Sequence, residues 1–87
     1  MAVDEKILEQ ELKELIAEIM EVEPEEVTSE ANFVENLGMD SMTALEIMAS
    51  IEKKYRIRIP EDDLKKIINL KQTVELAKNI LEKSQPA

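Results

Sequence analysis

Six consecutive residues, Leu37-Gly38-Met39-Asp40-Ser41-Met42, are the stretch of this sequence best suited to chemistry. Gly38 is the only glycine of the chain, and it can enter the left-handed backbone region that other residues reach at a cost. Asp40 and Ser41 are both favoured helix N-cap types, able to accept from the first free amides. An amphipathic pattern follows at once. The spacing predicts a tight turn, a cap, and a serine hydroxyl at the mouth of a helix, in solvent. On these residues alone two roles stay open for Ser41. It is a cap or first-turn residue and nothing more, or it is a point of covalent attachment. The amides and dipole at a helix N-terminus favour a phosphate. The carboxylate of Asp40 beside it opposes a second negative charge.

The other residue types narrow the field. There is no histidine and no cysteine, so Ser41 has no imidazole to activate it, and a chain of 87 residues is small for a deep pocket. No catalytic residue is assigned. Glu61-Asp62-Asp63 lacks the alternating oxygen ligands and central glycine of a calcium loop. It reads as the acidic start of a helix, and no metal site is expected. A net charge of −9 opposes nucleic acid, and the basic run Lys53-Lys54-Tyr55-Arg56 holds one aromatic only. The absence of thiols fits a reducing compartment. With no signal-peptide pattern and no apolar run near about 18 residues, the expectation is a soluble cytoplasmic protein without membrane insertion. Charge is uneven along the chain: residues 1–35 hold twelve acids and two bases, residues 52–71 four acids and seven bases.

The elements that must position Ser41 follow from periodicity. Ile7, Leu8, Leu12, Leu15, Ile16, Ile19 and Met20 recur at 3.6 residues and predict a helix over 4–21, ended by Val22 and Pro24. Residues 22–40 read as a long connection, with a single helical turn at Pro24-Glu25-Glu26-Val27. Val27, Phe33, Val34 and Leu37 are expected to anchor it to the core. A second helix spans 41–55. Ala44, Ile47, Met48, Ile51 and Tyr55 share its inner face, with Leu45 flanking them, and Met42, Glu46, Ala49 and Lys53 share the opposite one. The alternation of Arg56 to Ile59 is too short for a strand. Pro60 opens a short helix from Glu61 to about Lys66. A last helix runs to about Lys83, capped by Asn69 or by Thr73, and Ser84-Gln85-Pro86-Ala87 should fray. The sum is one all-α domain over 1–87, ordered over about 4–83. It is a small four-helix bundle of three longer helices and one short one, with a long loop between helices 1 and 2.

This arrangement resembles an acyl carrier protein. The similarity covers about Ile7 to Leu81. It rests on Leu37 to Met42, then Leu45-Glu46-Ile47, Ile59-Pro60-Glu61-Asp62 and Thr73-Val74, all in register. The resemblance implies that Ser41 receives 4′-phosphopantetheine from coenzyme A, through a separate phosphopantetheinyl transferase, with Gly38 and Asp40 as supporting motif residues. It implies a monomeric carrier that catalyses nothing itself. Acyl groups ride on the arm as thioesters and pass to acyl-transfer and chain-elongation enzymes of fatty-acid, polyketide or related lipid synthesis. Met42, Glu46, Ala49 and Lys53 are the expected partner surface. Leu45, Ile47, Ile51, Leu64 and Ile67 are the expected walls of an acyl pocket. Two departures stand out: Met42 where the family most often has leucine, and bases at 53, 54, 56 and 58 where a fatty-acid carrier is usually acidic. An aminoacyl carrier of the D-alanyl type, or an unmodified acidic helical adaptor, are the alternatives.

Overall fold

Asp4 opens the first helix by accepting from the amides of Lys6 and Ile7 at 3.1 and 3.2 Å, the usual service of an N-cap carboxylate. The computed structural model describes residues 4–84. Helix α1 runs Glu5–Met20 and buries Leu8, Leu12, Ile16 and Ala17. Ile7 stays exposed, because it sits about 100° from Leu8 on the helix and the interior position goes to Leu8. The helix stops at Glu21, whose left-handed backbone turns the amide of Val22 back onto the Ala17 carbonyl at 3.0 Å. The turn at Pro24 is present as a 3-10 turn, Pro24–Glu26, followed by a fully buried Val27.

The long connection is not all loop. Helix α2, Phe33–Leu37, interrupts it. Asn32 caps α2 by accepting from the Glu35 amide at 2.9 Å, and Asn36 accepts in return from the Asn32 amide at 2.7 Å. Gly38 ends it with φ +72°, directing its own amide to Val34 and that of Met39 to Phe33. A helix turns about 100° per residue, so neighbours cannot both face inward. Phe33 is fully buried, while Val34 is 61% exposed, against the expectation that both anchor the segment. Two backbone bonds tie the connection down. Phe33 donates to the Ile68 carbonyl at 2.8 Å and Lys71 to the Ser29 carbonyl at 3.1 Å.

Helix α3, Ser41–Tyr55, buries Ile47, Met48 and Ile51. Its C-terminal turn is pinned twice, by the Tyr55 hydroxyl donating to Glu11 Oε1 and by the Ile59 amide donating to Glu52 Oε2, both at 2.7 Å. A 3-10 segment, Glu61–Lys66, follows Pro60 where a short helix was expected. Helix α4, Leu70–Ser84, is capped by Asn69, which accepts from the Gln72 amide at 2.8 Å. Thr73 is fully buried inside α4, with its hydroxyl donating to the Asn69 carbonyl. Fraying is expected from Ser84 onward, but Ser84 is the last residue of α4, because the helix continues one residue past Lys83; residues 85–87 lie outside the described residues. Among the described residues there is no strand. Helix α1 packs on α3 and α4, and the 3-10 segment fills the gap between α3 and α4.

The two faces of α2 separate cleanly on mutation. Phe33→Ala should cost about 3–5 kcal/mol, much of what a domain of this size holds. Val34→Ala should stay within about 0.5 kcal/mol. Urea unfolding followed by circular dichroism measures both, and equal losses would place Val34 in the core after all.

Candidate functional site

The first turn of α3 needs acceptors for its free amides, and Asp40 supplies one. Its carboxylate accepts from both the amide and the hydroxyl of Thr43 at 2.8 Å. These bonds, the Thr43 amide first, hold the Asp40 carboxyl below the usual carboxylate range. Capping is thus the work of Asp40. Ser41, the first residue of α3, is exposed and takes no part in the cap.

Beside Ser41 a groove of about 890 Å³ opens between α2, the start of α3 and the 3-10 segment. Met39, Ala44, Leu64 and Ile67 line its apolar floor, Val34 and Ile68 its rim, and Asn32, Glu35, Glu61 and Lys65 supply polar edges. Leu64 and Ile67, two of the expected pocket walls, thus line this groove. Ile47 and Ile51 are buried in the core and do not line the groove. Leu45 departs further. It is 42% exposed, because it lies about 100° from the centre of the buried face of α3. It belongs with Met42, Glu46, Ala49 and Lys53, all exposed along one side of the helix. Met42 is 80% exposed.

Sequence reasoning missed the groove walls Asn32, Val34, Glu35, Met39, Ala44, Lys65 and Ile68. One signal was available. Asn32 with Glu35 three positions on has the spacing of a capping pattern, and would have revealed α2. Among the described residues there is no cluster of three or more metal-ligating side chains. No helix among them is long and apolar enough to cross a membrane.

Comparison with known proteins bears on this geometry. A family described as "Phosphopantetheine attachment site" matches residues 10–77. The chain is 42% identical over 67 residues to polyketide-8 synthase acyl carrier protein 2 of Streptomyces avermitilis, covering 77% of each protein. It is 39% identical over 64 residues to an acyl carrier protein of Wolinella succinogenes, covering 74% of this chain and 84% of the relative. The chain belongs to the phosphopantetheine-bearing acyl carrier family. It is a carrier and not a catalyst, and such carriers work with acyl-transfer enzymes.

The cap makes a prediction about acid. The folded state binds the Asp40 proton less tightly than the unfolded chain. Its contribution to stability is complete above the unfolded value near about 4 and is lost as pH falls through the lower folded value. Asp40→Asn keeps a capping oxygen but does not titrate. Stability should therefore fall less steeply below about pH 4 in the variant than in the wild type. Identical slopes in urea titrations at stepped pH would mean that the Thr43 bonds do not hold the carboxylate.

Proposed function

We propose that Ser41 carries the 4′-phosphopantetheine arm, added from coenzyme A by a separate phosphopantetheinyl transferase. We further propose that residues 1–87 act as one monomeric carrier domain in the cytoplasm. The observation that carries this is the division of labour at the start of α3: Asp40 caps, and the Ser41 hydroxyl is left exposed beside the groove. In the transfer the Ser41 oxygen becomes an ester oxygen of the phosphodiester. The hydroxyl proton leaves, and adenosine 3′,5′-bisphosphate departs. When bound, the arm supplies a terminal thiol that holds an acyl group as a thioester. The chain has no cysteine, so no thiol of its own competes for the load.

The residues present suit such a group. Asp40 has already taken the Thr43 amide, and its negative charge sits one residue before Ser41. Like charges repel, so Asp40 would oppose capture of the phosphate by the first turn and would leave the arm free to move. Gly38 contributes by backbone alone. It ends α2 and lets Met39 turn into the core before Asp40 emerges. Met42, Glu46, Ala49 and Lys53, with Leu45 now added, form the surface met by phosphopantetheinyl transferase and by acyl-transfer and elongation enzymes. The load is an acyl intermediate of fatty-acid, polyketide or related lipid synthesis, and its chain lies against Leu64, Ile67, Met39 and Ala44 in the groove.

Incubating the unmodified protein with coenzyme A, magnesium and a broad-specificity phosphopantetheinyl transferase should add one arm to the intact mass and none to Ser41→Ala. Because Asp40 makes the cap, Ser41→Ala should shift stability by no more than about 0.5 kcal/mol. An unchanged wild-type mass, or a shift that survives Ser41→Ala, would refute the assignment.

Loading a medium-length acyl chain onto the modified protein should raise the thermal midpoint and move the side-chain resonances of Leu64, Ile67 and Met39. Leu45 should stay still. Changes confined to Ser41 and its neighbours would place the chain in solvent instead of the groove.

A further inference from the structure

Four bases crowd the far end of α3 and the loop after it. Lys53, Lys54, Arg56 and Arg58 are all exposed. In a chain of net charge −9 the ordinary expectation is that bases pair with nearby acids. These do not. Among the described residues the ion pairs are Lys66 with Asp63 and Lys78 with Glu5, and neither uses any of the four. The nearest acid on the helix, Glu52, spends its carboxylate on the Ile59 amide. Lys54 leans over the Tyr55 ring at 5.8 Å, a contact that leaves its charge uncompensated. The backbone concentrates the cluster: Arg56 holds φ +56° at the helix end, which turns the chain sharply there.

We propose that this basic cluster is a second docking point, and that it fits an acidic patch on the enzymes that load or unload the carrier. The inference rests on the carrier function proposed above and names the chemistry of the partner. Its support is continuity. Lys53 shares one exposed side of α3 with Met42, Glu46 and Ala49, about 18 Å along the axis from Ser41 at 1.5 Å per residue. An enzyme that lies along α3 to reach Ser41 meets the bases at the other end. It must present a basic or neutral surface near Asp40 and Glu46, and acids where Lys53, Lys54, Arg56 and Arg58 arrive. Two other polyanions fit less well. Nucleic acid is repelled by the rest of the chain. A membrane surface would be served by large exposed apolar residues among the bases, whereas Ile57 is half-buried and Ile59 buried. Charge matching of this kind selects partners mainly by speeding correct encounters and penalising wrong ones.

The test uses the phosphopantetheine-modified full chain and an acyl transferase whose entrance is ringed by basic residues. Three carriers are compared: wild type, Lys53→Gln with Lys54→Gln and Arg58→Gln, and the same three positions changed to Glu. Matched circular dichroism and thermal midpoints establish folding, and intact mass establishes modification. With the basic-rimmed transferase, kcat/KM should rise from wild type to Gln to Glu, by roughly three- to tenfold overall at low salt. The effect should act through KM and fade near 0.5 M salt, where screening shortens to about 4 Å. With the same transferase carrying glutamates at the rim positions that face the cluster, the order should invert. Equal kcat/KM for all three normally modified carriers overturns the proposal and leaves the attachment at Ser41 intact. Failure of modification in the wild type overturns both. Wild type that sediments with phosphatidylserine vesicles at physiological salt, where the Gln variant does not, overturns it in favour of a membrane surface.

Discussion

The surroundings of Ser41 depend on one buried ring. Phe33 is the only phenylalanine of the chain and is fully shielded. Its amide is bonded to the Ile68 carbonyl at 2.8 Å. A helix of five residues such as α2 has no stability of its own, so side-chain burial and end caps must hold it. With Phe33 inside, Val34 has to point out. With Gly38 in the left-handed region, Met39 returns to the core. Only after Met39 is buried does the chain emerge, and the residues that emerge are Asp40 and Ser41. The groove is the space left between α2, held this way, and the 3-10 segment Glu61–Lys66 on the other side.

The three long helices were legible because each repeats apolar residues at 3.6 over many turns, and the turn at Pro24 because proline suits a first helical position. What failed was short or sided. Helix α2 is too brief for periodicity to register, and treating it as loop let Val34 count as an anchor beside Phe33. Leu45 was drawn inward by its apolarity, although its angle on α3 takes it outside. Asn69 and Thr73 are both cap types, and only the fold shows that Asn69 accepts from an amide while Thr73 is buried against it. The hexapeptide around Ser41 was ambiguous for a physical reason. Caps and attachment points ask for the same small polar residues at the same place, and only the distant motifs in register favour attachment. Of the groove only Leu64 and Ile67 were read beside Ser41 and Asp40, since its walls come from three separated segments and its rim includes the apolar Val34 and Ile68, which a pattern assigns to the core.

Asp40 reconciles two demands on one helix end. A helix N-terminus left open attracts anions, and an arm whose phosphate was gripped there would lose the reach a carrier needs. A neutral cap at Asp40 would satisfy Thr43 equally well by hydrogen bonding. The carboxylate does more: it puts a negative charge where the first turn would otherwise attract a phosphate, and the Thr43 bonds favour its ionised form. With the proposed arm on Ser41, the cap that shapes the helix would also leave that arm free.

Helix α3 sets where Ser41 stands relative to any partner. Its inner face is fixed in the core by Ile47 and Ile51, and its last turn is fixed to α1 through Tyr55 and Glu11. Burial, then the hydrogen bond and charge of Glu11, hold the Tyr55 phenol above its ordinary range, so the hydroxyl keeps the proton it donates to Glu11. The helix therefore moves with the core as one piece. A partner that grips only the mouth, at Met42 and Glu46, leaves the axis of α3 free to swing about that contact. A partner that also meets the bases about 18 Å away fixes the axis direction, and with it the line along which an arm on Ser41 departs. Two modest contacts at the ends of a rigid rod can set an orientation that one stronger contact cannot. For a molecule whose cargo must enter one active site among several, orientation is the part of recognition that weak surface charges supply best.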